Sequence, residues 1–283
     1  MQRRLFFLAR RFVAGETVDT ALEAVDALNA DGLSASLDFL GEDVHSQAEA
    51  AHTTQTYLTM IERIVAARAD CNVSVKLSAI GQAISEDLAL ENLVRIAERA
   101  QACGMFVRLD MEGSGSVDST YRILERASSS YRDIGPVVQA YLRRAPADVE
   151  RAIDRGWRVR LCKGAYKEPA EVALQPMPEI RDQFLELARA LLVRGTYPAI
   201  ATHDERIISA VQNFARDKEI GQDDFEFQML YGIRPERQRE LRHEGYRVRI
   251  YVPFGTHWAA YFYRRMAERK ENVFFVVRSI FSR

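Results

Sequence analysis

Cysteine is scarce: Cys71, Cys103 and Cys162 are the only three in 283 residues, and no CxxC occurs. That count excludes a disulfide framework and the common zinc-ligand spacings, and the scatter of the three through apolar segments reads as buried thiols in a reducing compartment, by default the cytoplasm. Long hydrophobic runs are missing as well. The longest, such as Val273 to Val277, fall far short of the roughly 20 residues that cross a bilayer, so no transmembrane helix is expected. No excess of one charge exists either: Lys+Arg 39 against Asp+Glu 40 gives a net charge of -1, too little to hold the chain on nucleic acid or an anionic surface. Any basic site must be local, and no nucleic-acid partner is expected.

Several signature motifs are also absent. There is no GxGxxG for an open dinucleotide-binding sheet, no GxxxxGK[ST] for a nucleotide triphosphatase, and no GxSxG nucleophile elbow. The five histidines include no HxH or HExxH, and only His203 falls at the end of a β-type run. A metal-dependent barrel hydrolase, with His203-Asp204 set against Asp110, Glu112 or Glu226, is therefore a weak rival, and no metal site is expected.

What is present is a core. Hydrophobic residues make up 47% of the chain, as a soluble globular fold requires. The start, Met1-Gln-Arg-Arg-Leu-Phe-Phe-Leu-Ala-Arg-Arg, is basic then apolar, but Leu5 to Ala9 is too short for a signal peptide and reads as helix. Val18, Ala21, Leu22, Val25 and Leu28 at helical spacing behind Thr17 predict a second helix, ending near Gly32. Eight short β-type runs follow: Ala35 to Leu40, Val73 to Leu77, Phe106 to Asp110, Val137 to Tyr141, Val159 to Cys162, Ala199 to Ala201, Phe225 to Leu230 and Arg247 to Val252. Helical stretches lie between them, clearest in Glu86 to Ala102, Glu179 to Arg194 and Glu205 to Ala215.

Regular β–α alternation over about 250 residues predicts a parallel (β/α)8 barrel of the TIM type, with extra N-terminal and C-terminal helices. Residues 1–33 are expected as a helical segment packed on the barrel and 34–283 as the barrel domain. In such a barrel the functional groups collect at the C-terminal ends of the strands. The sequence places Lys76, Asp110, Gln139, Arg160 with Lys163, Gly164 and Tyr166, Thr202-His203-Asp204, Gln228 with Leu230, and Tyr251 at those ends. Singly, each is as readily a solvated strand end or a structural ion pair. Together, polar groups on seven successive strands point to a site, because strands that only pack are apolar on both faces.

The segment Arg160-Leu-Cys-Lys163-Gly-Ala-Tyr166 suits an anion, with a guanidinium fork, an ammonium and a glycine that admits a ligand to the backbone. In the last helix, Tyr261, Arg264, Arg265 and Glu268 share a face by their three- and four-residue spacing. Paired arginines there could grip a small carboxylate bidentately, although a salt-bridged surface helix has the same spacing.

These segments together resemble the proline dehydrogenase family, in its short monofunctional bacterial form. The resemblance rests on Arg10-Arg-Phe-Val-Ala-Gly-Glu16, Leu37-Asp-Phe-Leu-Gly-Glu42, Val75-Lys-Leu-Ser78, Val107-Arg-Leu-Asp-Met-Glu112, Arg160-Leu-Cys-Lys-Gly-Ala-Tyr166, Ala201-Thr-His-Asp204, Phe225-Glu-Phe-Gln228 and Tyr263-Arg-Arg-Met-Ala-Glu-Arg269. It implies non-covalent FAD over the barrel mouth and oxidation of L-proline to Δ1-pyrroline-5-carboxylate by hydride transfer to flavin N5. The electrons are then expected to reach a membrane quinone, which implies peripheral membrane contact, with the apolar Asn272 to Phe281 as one candidate surface. It leaves homo-oligomerisation open. A folate reductase using a nicotinamide donor is the rival within flavin barrels.

By the same resemblance, Lys76, Arg264 and Arg265 hold the proline carboxylate, while Tyr166, Leu230, Tyr251 and Tyr261 surround its ring. Asp110 and Glu268 organise the pocket. The FAD positions are Val137, Gln139, Arg160, Lys163, Gly164, Ala165, Thr202, His203, Asp204, Gln228 and Glu268. Glu42 is expected to close the site by pairing with an arginine after strand five, for which Arg181 is the candidate. Asp204 departs from an asparagine frequent in bifunctional members, and Cys162 from an aliphatic residue. By the resemblance, relatives carry further residues before the Met1 region, which leaves open a trimmed chain or a shorter member. Lys76, Arg160, Lys163, Arg264 and Arg265 against Asp110 and Glu268 predict a local excess of three positive charges at the mouth.

Overall fold

The computed structural model describes residues 9–259, 261 and 262. The basic start, residues 1–8, and the end of the chain, with Arg264, Arg265, Glu268 and the apolar segment 272–281, lie outside the described residues. Helix α1 (Val18–Ala30) leads into β1 (Ser34–Phe39), α2 (Gln47–Ala67), β2 (Cys71–Val75), α3 (Glu86–Gln101), β3 (Val107–Leu109), α4 (Val117–Ser128) and β4 (Ile134–Gln139). Then come α5 (Ala145–Asp154), β5 (Arg160–Cys162), α6 (Met177–Arg194), β6 (Ala199–Ala201), α7 (Glu205–Asp217), β7 (Glu226–Leu230), α8 (Pro235–His243) and β8 (Arg247–Phe254). The eight strands close in sequence order, with β1 pairing in parallel to both β2 and β8, so the chain is a (β/α)8 barrel.

Local chemistry explains the helices. In α2 the Ser46 side chain accepts from the Glu49 amide while Glu49 returns to the Ser46 backbone, and Ala50, Tyr57, Ile61 and Ile64 recur on the buried stripe. That stripe meets Leu37, Val73 and Val75 in the layer between helices and sheet, where each fully buried large apolar side chain contributes about 1.5–3 kcal/mol. A smaller cluster sits at the C-terminal end of the barrel: Phe12 and Val13 pack with Leu40, Ile233, Trp258 and Phe262 beside Leu230 and Tyr251.

The inner face of the barrel is not an apolar core. Successive side chains on a strand alternate faces, and the parity that buries Ala35, Leu37, Val73, Val75, Val107 and Leu109 under the helices turns Ser36, Asp38, Ser74, Lys76, Arg108 and Asp110 inward. Arg160 on β5 bonds to Ser74 on β2 and to Gln228 on β7, strands that are not its neighbours, so these contacts cross the barrel interior. The barrel is therefore apolar outward and charged inward.

Candidate active site at the barrel mouth

The floor of the site is a chain of charge-assisted hydrogen bonds. Lys76, the residue after β2, donates to Asp38 Oδ2 at 2.6 Å and to Tyr251 Oη at 3.1 Å. Tyr251 in turn donates to Asp110 Oδ2 at 2.9 Å. The other Asp110 oxygen receives Ser74 Oγ and Arg160 Nη1, each at 2.7 Å. Arg160 Nε donates to Gln228 Oε1, and the Gln228 amide nitrogen donates to Glu226, so the amide can face Arg160 only with its oxygen. Glu226 is held by Arg249 at 3.1 Å.

Burial pushes the Asp110 carboxyl up, but Arg160 and Lys76 outweigh it and hold it below the usual carboxylate range. For Asp38 burial wins over the Lys76 charge, and its carboxyl stands above that range. Burial pulls the Lys76 ammonium down, yet Asp38, Asp110 and Glu42 keep it well above its ordinary value. The tyrosine hydroxyl of Tyr251 is pushed up by burial and by Asp110. At neutral pH the floor therefore carries a fixed ammonium.

Above this floor opens a cavity of about 880 Å³ at the C-terminal ends of the strands. Sixteen of the candidate residues line it: Lys76, Asp110, Val137, Gln139, Arg160, Lys163, Gly164, Ala165, Tyr166, Thr202, His203, Asp204, Gln228, Leu230, Tyr251 and Tyr261. Gln139 donates to the Glu112 carbonyl at 2.8 Å, which turns its amide oxygen toward the Ala165 amide at 3.4 Å. His203 Nε2 accepts from the Leu230 amide at 2.9 Å, so a neutral ring carries its proton on Nδ1 and offers a donor there. Among the described residues no group of three His, Cys, Asp or Glu is placed to hold a metal ion.

Asp204 closes one wall. It caps α7 by accepting from the Arg206 amide, and one of its oxygens takes both Lys163 at 2.6 Å and Arg181 at 3.0 Å. Burial raises its carboxyl, but the bonds from Lys163 and Arg181 prevail and bring it to about 2. A depressed carboxyl contributes stability that is complete above its unfolded value and is lost as pH falls through the folded one. Asp204→Ala is thus expected to lower stability by about 1–2 kcal/mol at neutral pH, cap and ion pairs together. Urea titrations should show that gap intact above about pH 5 and shrinking toward pH 3, and a gap that stays constant would remove the ion pairs from the account.

Three expectations change. Arg181 does not pair with Glu42: it lies on Asp204, and Glu42 approaches Lys76 at 4.0 Å. The local positive excess is not found among the described residues, where Lys76, Arg160 and Lys163 are matched by Asp38, Asp110 and Asp204. Of the thiols only Cys71 is buried; Cys103 and Cys162 are half-buried, and Cys162 faces the cavity. Asp38 and Tyr141 belong to the site although no candidate set included them. Asp38 announces itself only as a charge at inward parity in the apolar run Ala35 to Leu40, and Tyr141 by its place two residues after Gln139.

The family described as proline dehydrogenase matches residues 21–278. Proline dehydrogenase 1 of Bacillus subtilis subsp. natto is 43% identical over 272 residues, 96% of this chain and 90% of its own. The proline dehydrogenase of Deinococcus radiodurans is 42% identical over 99% of this chain and 92% of its own. Among solved structures, proline utilization A of Bdellovibrio bacteriovorus, inactivated by N-propargylglycine, superposes with a TM-score of 0.88 at 26% identity. That match covers 99% of this chain but 34% of the larger one, so the chain spans about a third of that protein.

Proposed function

The chain belongs to the proline dehydrogenase family and is an oxidoreductase acting on proline; on that premise we propose that it uses FAD, forms Δ1-pyrroline-5-carboxylate and delivers the electrons to a membrane quinone. The observation that carries the reading is the meeting of Lys76, Asp110, Arg160 and Tyr251, from four strands, on the floor of one large cavity. A fixed ammonium suits a carboxylate, and the aromatic and aliphatic walls of Tyr166, Leu230, Tyr251 and Tyr261 suit a small saturated ring. Arg264 and Arg265, outside the described residues, are assigned to the same carboxylate, and Glu268 to the pocket wall.

The residues present fit a flavin dinucleotide. The cavity is near the upper end of the roughly 300–1,000 Å³ that ligand sites enclose. Its donors are of the required kinds: Lys163 for a phosphate, Arg160 and the Nδ1 side of His203 for ring heteroatoms, and Gln139, Thr202 and Gln228 for polar edges. Val137 and Ala165 give apolar wall, and Gly164 and Asp204 fix the loop that carries Lys163. When bound, the flavin supplies the two-electron acceptor for the hydrogen next to the proline nitrogen. The protein's part is to hold the carboxylate, and thereby the distance and face presented by that carbon.

Reoxidation by a quinone calls for peripheral contact with a membrane on its cytoplasmic side. Among the described residues no helix is long and apolar enough to cross one. The deciding measurement is a visible spectrum before and after anaerobic L-proline. Flavin bands that bleach with proline and not with NAD(P)H are expected; colourless protein, or flavin that stays oxidised in excess proline, would overturn the reading.

A further inference from the structure

We propose that Asp38 is a positioning residue for the reaction: it fixes the Lys76 ammonium so that one N–H is kept for the substrate carboxylate. The inference rests on the reading of Lys76 given above. An ammonium has three N–H donors. Asp38 takes one at 2.6 Å and Tyr251 another at 3.1 Å, while Asp110 at 3.6 Å and Glu42 at 4.0 Å stand at ion-pair distance, beyond a short hydrogen bond. The third N–H belongs to a side chain that lines the cavity.

Asp38 itself has 0% exposure and does not line the cavity, so it has no direct route to a ligand. Its place is set by the sheet, since β1 is paired on both sides there, Asp38 to Ser74 of β2 and to Pro253 of β8. The work divides between the acids. Asp110 is matched by Arg160 at 2.7 Å, whereas the ion pair of Asp38 among the described residues is with Lys76 alone. A buried carboxylate pair is a poor way to stabilise a fold, because desolvation offsets the attraction and apolar replacements often do as well. What Asp38 provides is a charge and a direction for Lys76.

Among the described residues, the groups that face Lys76 are Asp38 on β1, Glu42 after β1, Tyr57 on α2, Asp110 and Glu112 from the β3 end, and Tyr251 on β8. Burial lowers the ammonium, and Asp38 heads the charges that raise it. Neutralising Asp38 therefore moves Lys76 downward, a change that a purely structural role would not produce.

The test uses the flavin-loaded enzyme and cyclopentanecarboxylate, a five-membered ring acid with no nitrogen to oxidise, its binding followed by the flavin spectrum. In Asp38→Asn the affinity is expected to fall roughly 10- to 100-fold near neutral pH. It should weaken further, by up to about tenfold per pH unit, as pH rises toward about 9.5, while the parent stays flat. In a Lys76→Met background the same substitution should add less than about twofold, since the pair acts as a unit. Parental affinity with a flat profile in Asp38→Asn, or an equal loss in the Lys76→Met background, overturns the proposal. If Asp38→Asn does not fold, Asp38→Ser carries the same test. A parent enzyme that bleaches with proline but shows either of those results fails this inference alone; a parent that neither bleaches nor binds the ring acid fails the proposed function, and this inference with it.

Discussion

Replacing Arg160 with Met is expected to cost about 3–5 kcal/mol of stability near neutral pH, the range found when one partner of a buried ion pair is removed. Arg160 is 6% exposed, and its donors reach Asp110, Ser74 and Gln228. Without it, Asp110 keeps Ser74, Tyr251 and the more distant Lys76, and burial, which Arg160 now outweighs only together with Lys76 and the hydrogen bonds, would lift its carboxyl. The pH dependence follows. In the parent, Asp110 has a depressed carboxyl and contributes stability that is complete above its unfolded value and lost as pH falls. In the variant the carboxyl is raised and gains stability on protonation, so the gap between the two proteins should be widest near pH 7 and close toward about pH 4. Adding Asp110→Asn removes the stranded charge and should restore much of the loss. Urea midpoints of the three variants across that range decide it: a gap that ignores pH, or a double variant no better than Arg160→Met, would show that the pair does not carry the floor. Flavin retention should fall with stability, because Arg160 also faces the cavity.

The fold was legible because its signal is periodic. Each of the eight β-type runs falls on a strand, with shifts at the ends: β4 begins at Ile134 rather than Val137, and β8 runs on to Phe254. Helix α1 begins behind the Thr17 cap the sequence shows, and α3 and α7 begin at Glu86 and Glu205 as read. The site was legible to the extent that its residues stand at strand ends. Lys76, Asp110 and Arg160 can be found that way; their partners cannot, since pairing depends on which inward positions of distant strands come level. Asp38 lies mid-strand in an apolar run and became visible only once β1 and β2 were in register. The place of Arg181, only a candidate partner for Glu42, was hidden for the same reason: it is in the first turn and a half of α6, and the sequence does not say whether that turn faces β1 or β6, where Asp204 waits. Charge counted residue by residue suggested an excess, whereas among the described residues the folded barrel sets Lys76, Arg160 and Lys163 each against an acid.

Gly164→Ala is expected to be nearly as damaging as the loss of Arg160, for a reason that involves no charge. Gly164 has φ +125°, a region L side chains rarely adopt, and a Cβ there would overlap two ring carbons of Tyr141. The ring has little freedom to retreat. Tyr141 is 7% exposed, its amide donates to the Lys163 carbonyl at 2.8 Å, and its carbonyl accepts from the Leu174 amide at 2.8 Å, so the same loop grips it from both sides. Backbone strain of about 1–3 kcal/mol and overpacking of similar size add to roughly 2–6 kcal/mol. The two contributions can be separated. Tyr141→Leu in the Gly164→Ala background removes the clash and leaves the strained φ, so about half of the loss should return in urea unfolding. Because Lys163 and Ala165 flank the glycine, displacement of this loop should also weaken flavin retention, read as the ratio of flavin to protein absorbance after gel filtration. Parental stability in Gly164→Ala would mean that the loop relaxes freely, and full recovery with Tyr141→Leu would mean that the backbone conformation carries no cost.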